Sequence, residues 1–383
     1  MTISRTREAY EQEEAQRLAP AAVKSAQSRG RLYPEPEHPY RTAFQRDRDR
    51  IVHARAFRRL EYKTQVFVYH VGDHYRNRLT HTLEGAQIAR TIARALRLNE
   101  DLAEAIVLAL DLGHTPFGHA GERRIASLMK GEGGFDHNRQ SLRIVDWLED
   151  RYPDFRGLNL TSETREGLLK HGSPWEHPVA LPPPASQPSL EAQVADSSDE
   201  IAYINHDLDD GLGSGLLVAG KLEEVALWRE TLRRVREQLG AVPDRVLHAQ
   251  VVVALINRLV TDLIEAVAKR VDAHDLASVD AVRGCPERLV QFSAELEKPK
   301  RELKKFLYDE LYQHPQVLAM NERAVGILGD LFAAFRSDPG RLPEHVRARI
   351  PSDGEARAIA DYVAGMTDRF AITEHEKLGA RRG

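Results

Sequence analysis

The sequence predicts an all-α fold, and three observations carry that prediction. Apolar residues recur at helical spacing over long windows, most clearly Ile88, Ala89, Ile92 and Leu96 within 77–98. An almost wholly apolar run, Leu102, Ile106, Val107, Leu108 and Leu110, follows Asn99, a residue suited to capping a helix start. Alternation of β type is confined to short pieces near 65–68 and 276–281, so at most minor β structure is expected.

Length and charge bound the function. The 383 residues can bury one large core or two modest ones. A formal net charge of −4 puts no strong polyanion-attracting field around the molecule, so composition does not favour a nucleic-acid binder but leaves room for a local basic pocket. The single cysteine, Cys285, excludes a disulfide framework and a Cys-rich zinc site. No apolar leader and no bilayer-length run are seen, so a cytoplasmic protein with no membrane partner is expected.

Residues 1–40 are polar, carry a short helix over 7–18, and end in a proline-punctuated segment. They read as an N-terminal arm that wraps a surface or a neighbouring subunit. The next stretch, 44–68, sets Arg46, Arg48, Arg50, Arg58 and Arg59 beside Ile51, Phe57 and Leu60, as in a solvated helix face or an anion pocket. The amphipathic helix of 77–98 has His81 in its first turns. Asp136, after a glycine-rich loop, is placed to cap a helix bearing Leu142, Ile144, Val145 and Trp147. The proline-rich 172–189 reads as a mobile loop inside a core of 41–215. Further helices are expected at about 216–239, 244–270, 287–311, 319–335 and 355–370, in a C-terminal region, 216–383, packed on that core as a single globular unit.

Two stretches carry chemistry. In 110–122, Asp111 and His114 lie three apart where a buried helix ends, Pro116 and Gly118 stop regular helix, and His119 and Glu122 repeat the spacing. Two such pairs beside a glycine-rich bend favour a catalytic or metal site over a solvated face. In 196–211, Asp199, Tyr203 and either His206 or Asp207 share one helix side. Their apolar neighbours Ile201, Ala202, Ile204 and Leu208 favour a lined pocket, because buried acids need partners.

His81, then Asp111, then Asp199 on a later helix follow the order of the HD-domain phosphohydrolases. The chain more closely resembles the bacterial deoxynucleoside triphosphate triphosphohydrolases, the dGTPase-like group. The matching stretches are 56–67, 77–90, 111–122, 135–141, 199–211, 306–315 and 361–371. The most specific are Gly113-His114-Thr115-Pro116-Phe117-Gly118-His119 and the segment from Asp361 to Arg369. The resemblance implies an HD-domain helical core with additional C-terminal helices. It implies cleavage of dNTPs at the α-phosphorus to deoxynucleoside and tripolyphosphate, with a divalent metal, Mg or Mn. His81, Asp111 and Asp199 would be metal ligands. His114, His119, Glu122 and His137 would be catalytic, with Glu122 holding or protonating His119. Arg78 would grip phosphate, Gln65, Tyr203 and Asp207 would surround the sugar, and Lys304 and Tyr312 would reach the triphosphate and the sugar or base. The resemblance also implies a homo-oligomer and allows a dNTP as allosteric activator.

Two positions depart from the family pattern. Leu110 stands where the adjacent metal-binding histidine belongs, leaving one imidazole and two carboxylates, a set that shifts preference toward Mg or Mn and weakens affinity. Glu200 stands where relatives can carry a basic residue facing the triphosphate. The expected function is therefore a dNTP triphosphohydrolase weakened at Leu110. The alternatives are a catalytically silent dNTP-binding regulator and an HD phosphodiesterase acting on another phosphoester.

Overall fold

The computed structural model describes residues 4–65, 75–169, 177–182 and 185–380. Among these the fold is all-α, and the only β pairings are two isolated bridges, Arg31 with Thr161 and Thr64 with Asn77. The early helices are α1 (Arg7–Arg17), α2 (Ala43–Val52), α3 (Arg55–Arg59), α4 (Arg78–Ala95) and α5 (Glu100–Leu110). Then come α6 (Gly118–Leu128), α7 (His137–Arg143), α8 (Ser162–Leu168) and the long α9 (Leu190–Gly213). The second half holds α10 (Ala219–Leu222), α11 (Ala226–Leu239), α12 (Asp244–Ala273), α13 (Val279–Arg283) and α14 (Ala294–Leu307). It closes with α15 (Pro315–Ser337), α16 (Glu344–Arg347), α17 (Ile350–Asp353), α18 (Glu355–Ala364) and α19 (Asp368–Ala380).

The apolar run becomes the central helix. From Leu102 to Leu110 all but one residue of α5 is buried, and Asn99 accepts the Leu102 N–H as its cap. Each Leu or Ile buried there contributes about 1.5–3 kcal/mol. Helix α5 packs against α2, α4, α8 and α9, which places the start of α4, the end of α5 and the middle of α9 beside one another.

Two apolar clusters sit either side of the 110–118 segment. The larger takes in Leu110, Leu112, Ile201 and Leu208 and continues through α11 and α12. The smaller joins Phe117, Ile125 and Met129 to Leu328, Phe332, Ile359 and Val363. One short stretch is thus anchored in both, which removes its freedom to shift.

The arm folds back along its own chain. Glu14 accepts hydrogen bonds from Ser25, Glu191 accepts the Val23 N–H at 2.9 Å, and Arg31 pairs with buried Asp47. Four local readings need correction, the first being the helix read over 216–239, which breaks into α10 and α11 around 223–225. The β piece at 276–281 is absent, because Ser278 accepts the Ala281 N–H and starts α13. The helix read from 287 begins at Ala294, since the Gln193 side chain takes the Leu289 and Val290 N–H groups. The helix read over 355–370 breaks between α18 and α19, around Gly365. Residues 66–68 of the other β piece, and 172–176 and 183–184 of the proline-rich loop, lie outside the described residues.

Candidate active site

The backbone of the loop fixes where its side chains project. After α5, Asp111–Gly113 makes one 3₁₀ turn, and Phe117 then adopts a left-handed conformation at φ 61°. That conformation is costly for a bulky residue, and the Asp368 carboxylate holds it by accepting the Phe117 N–H at 2.9 Å. The same carboxylate accepts the Thr64 N–H at 3.0 Å. At Gly113 a Cβ would lie 2.2 Å from the His137 carbonyl oxygen, so only glycine lets α7 approach. Ser141 closes the junction, accepting the Gly113 N–H at 2.8 Å and donating to the Leu110 carbonyl.

That approach assembles an imidazole cluster. His114 and His137 stack with ring centres 4.1 Å apart, and His119 meets His114 edge-on at 5.5 Å. Glu122 lies 2.7 Å from His137 Nδ1 and 3.3 Å from His119 Nδ1, and it accepts the His137 N–H. Burial opposes ionisation of Glu122, but hydrogen bonds from His119 and His137 hold its carboxyl far below the usual range. Burial, then Arg78 and the neighbouring imidazoles, push His114 well below its ordinary value, so it is neutral near pH 7. The His119 side chain is 49% exposed, the most accessible of the three.

The residues expected to hold metal form a looser group. His81 Nε2 lies 3.0 Å from Asp199 Oδ1. Asp111 instead binds the Arg78 guanidinium at 3.0 Å and lies 3.4 Å from His114 Nε2. Among the described residues the only trio of His, Cys, Asp or Glu donors all within 4.8 Å of one another is His114, Glu122 and His137. Its two imidazoles stack nearly parallel, so their in-plane lone pairs do not converge on one ion. Leu110 is 4% exposed and packs in the larger core.

A chain of polar contacts behind His81 tests whether its side chain suits a cation. Burial raises the Glu84 carboxyl, but His206 and Arg76 outweigh it and bring it down to about 2, so Glu84 is an acceptor 2.6 Å from His206 Nε2. His206, pushed down mainly by burial, meets His81 at 2.9 Å between their Nδ1 atoms, one donating and the other accepting. With the His81 proton on Nδ1, Nε2 turns its lone pair toward the Asp199 carboxylate; with a proton on Nε2, the two are hydrogen-bonded. In the first case, two acceptors 3.0 Å apart call for a cation or an extra proton between them. Consistently, although burial lowers His81, Asp199 raises it overall. His81 and Asp199 therefore suit a hard divalent ion, while Asp111, tied to Arg78, does not close a three-donor set with them.

Three of the remaining predicted residues line a second region, which Gln65 and Asp207 do not. Tyr203 and Tyr312 stack at 6.0 Å and, with Lys304, line a cavity of 410 Å³. Lys304 is committed to Glu200 at 2.6 Å, and Lys300 reaches the same carboxylate at 3.0 Å, so Glu200 neutralises cations at this mouth. Burial and then Asp210 raise Asp207 well above its ordinary value. Gln65 has its carbonyl close to Gly118 and is itself buried. Gln65 Oε1, Arg78 Nε, His114 Nδ1, Asp207 Oδ2 and the Tyr312 hydroxyl are all buried without a hydrogen-bond partner.

Sequence reasoning left several contributors unassigned. Glu84 and Arg76 complete the chain behind His81, and Lys63 donates to the carbonyls of His114 and Ala364. Asp361 accepts from Gln140 and Arg143, while Asp368 ties Thr64 to Phe117. The specificity of the 361–369 segment was the available signal, but these contacts cross more than two hundred residues of chain. No local spacing reports them.

Comparison with known proteins identifies the family. The HD domain matches residues 78–204, from the first residue of α4 into α9, and the phosphohydrolase-associated domain matches 290–377. Proteins named deoxyguanosinetriphosphate triphosphohydrolase-like protein are similar along nearly the whole chain. The one from Ralstonia pickettii is 52% identical over 369 residues, 95% of each chain. That from Geobacter sulfurreducens is 49% identical over 94% of each chain, and that from Leptospira interrogans 47% over 96% of this chain and 97% of its own. An HD domain implies a metal-dependent hydrolase with a divalent cation. The chain belongs to the deoxyguanosinetriphosphate triphosphohydrolase-like family of HD-domain proteins.

Proposed function

We propose that the protein hydrolyses deoxynucleoside triphosphates at the α-phosphorus, releasing deoxynucleoside and tripolyphosphate. The observation that supports this most is the set of unpartnered buried atoms on Gln65, Arg78, His114, Asp207 and Tyr312. Each such atom costs about 1–3 kcal/mol unless something else satisfies it. Together they offer donors for phosphate and a mixed donor–acceptor set for a sugar.

His81, Asp111 and Asp199 would hold the cation, Mg or Mn, which when bound polarises a phosphate oxygen and activates water for attack. Arg78, already aimed by Asp111, steadies the charge on the α-phosphate. Water adds to the α-phosphorus, and the bond to the 5′-oxygen of the deoxynucleoside breaks. That oxygen leaves with a proton from the His119–Glu122 pair, whose carboxylate stabilises imidazolium. His114, neutral and buried, donates to a phosphate oxygen through its free edge, with His137 stacked behind it. Asp207 and Gln65 bind the sugar hydroxyl, and Tyr203 fills the space beside C2′, which disfavours ribonucleotides.

The test is to incubate the protein with mixed dNTPs and Mg or Mn and to quantify both products. Equimolar deoxynucleoside and tripolyphosphate are expected; pyrophosphate or a nucleoside monophosphate would contradict the proposed bond. A specific observation favours a second reading, a silent dNTP-binding regulator. Leu110 supplies no ligand, and Asp111 is occupied by Arg78. Saturable dNTP binding without product would select it.

A further inference from the structure

The loop between α5 and α6 turns at one residue. Phe117 sits at φ 61° and ψ 29°, a left-handed conformation that a bulky side chain avoids. The turn divides the imidazole cluster. His114 lies before it, while His119 and Glu122 lie after it, in the first turns of α6. The dihedrals of Phe117 therefore set how the His119–Glu122 pair meets His114, whose ring centre is 5.5 Å from that of His119. The arms of the turn are themselves tight. Thr115 Oγ1 donates to the Gly118 carbonyl at 3.1 Å, and a Cβ at Gly121 would collide with the Pro116 carbonyl oxygen.

What holds Phe117 comes from the far end of the chain. Asp368, the first residue of α19, is 1% exposed, and both of its carboxylate oxygens act as acceptors. Oδ1 takes the Phe117 N–H at 2.9 Å, while Oδ2 takes the Thr64 N–H at 3.0 Å and the Thr64 hydroxyl. Beside Thr64, Lys63 ties the same two segments a second time, donating to the carbonyls of His114 and Ala364. The Lys63 carbonyl in turn accepts the Arg78 N–H at 3.2 Å, so the junction also meets the start of α4. Asp368 itself bonds to none of the residues assigned above to metal, phosphate or sugar.

We propose, on the reading above that the His119–Glu122 pair donates the proton, that Asp368 is a positioning residue for that transfer. By holding Phe117 in the left-handed conformation, it keeps the pair aligned with the His114 side of the site. The phosphohydrolase-associated region, 290–377, thereby takes a share in the chemistry, reaching across 251 residues of chain to the loop that carries the acid. Misplacing a reacting group by about 1 Å can cost about a hundredfold in rate, and the loss falls on kcat because binding contacts are untouched.

Three variants separate this role from general support of the junction. Asp368→Ala removes every acceptor. Asp368→Asn is isosteric and leaves one oxygen for three donors, and Thr64→Val removes the hydroxyl contact while keeping the Phe117 bond. Amide hydrogen exchange of the full chain at Phe117 reads the hold, and steady-state kinetics with a dNTP and Mn read its consequence. We expect Asp368→Ala to speed exchange at Phe117 at least about tenfold. It should lower kcat about 10–100-fold, with KM and Mn affinity within about twofold of the parent. Thr64→Val should match the parent in both readings. In Asp368→Asn, kcat should follow Phe117 exchange, falling if exchange rises and staying with the parent if it does not. That variant decides the matter should Asp368→Ala fail to fold. Faster exchange at Phe117 without a fall in kcat overturns the proposal. So does a fall in kcat with Phe117 exchange unchanged, or a rise in KM in place of the fall in kcat. If the parent turns over no dNTP, the proposed function fails, and the exchange contrast between Asp368→Ala and Thr64→Val alone decides whether Asp368 holds the loop.

Discussion

The molecule carries two histidine groups side by side, built on opposite plans. The His114–His119–His137 cluster is drawn together around one carboxylate, Glu122, whose two oxygens serve two different rings. The His81 group is spread over three helices, and its carboxylates point different ways, Asp199 to His81 and Asp111 to Arg78. The first group is held together by protein contacts, with His114 Nδ1 the buried ring atom left without a partner. The second joins His81 and Asp199 through one 3.0 Å contact that a proton or a cation can bridge. Leu110 sharpens the contrast, because it removes a ligand from this second group.

Changes to the two groups should therefore fail differently. Asp199→Ala removes one side of the His81–Asp199 contact, and we expect turnover to fall about a thousandfold or more, with metal binding lost alongside it. Parent-level turnover would break the assignment. Glu122→Gln should cost about a hundred- to ten-thousandfold in kcat while metal affinity stays unchanged, since it disables proton transfer alone. If metal affinity fell with it, the two groups would be one site. His206→Ala should lower metal affinity about 10–100-fold by releasing His81 Nδ1, and added metal should restore most of the turnover. Equilibrium dialysis with Mn paired with steady-state kinetics reads all three.

The smallest effect concerns stability and lies away from both groups. Glu191 is buried under the arm, and burial lifts its carboxyl to about 7 against the hydrogen bonds it accepts from Asn99 and Val23. The folded state then binds its proton more tightly than the unfolded chain. Its contribution is complete below about pH 4.5 and is lost as pH rises to 7, about 3 kcal/mol in all. Urea melts at these two pH values should show that dependence, and Glu191→Gln should remove it.

How much of this was legible in the sequence depends on contact range. Helix α5 was readable because its apolar run and its cap at Asn99 are local, and so was the α7 cap at Asp136, which accepts the Asn138 and Arg139 N–H groups. The pairing of His119 with Glu122 was readable from a three-residue spacing. The diversion of Asp111 to Arg78 was not, because it depends on how α4 meets the end of α5. Short alternation misled at 276–281, where a serine cap outweighed it, and Gln193 terminated a helix pattern from nearly a hundred residues away. The upward push on Asp207 also needed the structure, since it comes from burial and Asp210.

The most direct measurement is a metal titration of dNTP turnover, comparing the chain as it stands with Leu110→His. We expect the parent protein to be inactive in EDTA and to be activated saturably by Mn or Mg. Leu110→His should reach half-activation at a metal concentration at least about tenfold lower. Turnover in EDTA, or an activation curve indifferent to Leu110→His, would contradict a cation held by His81, Asp111 and Asp199.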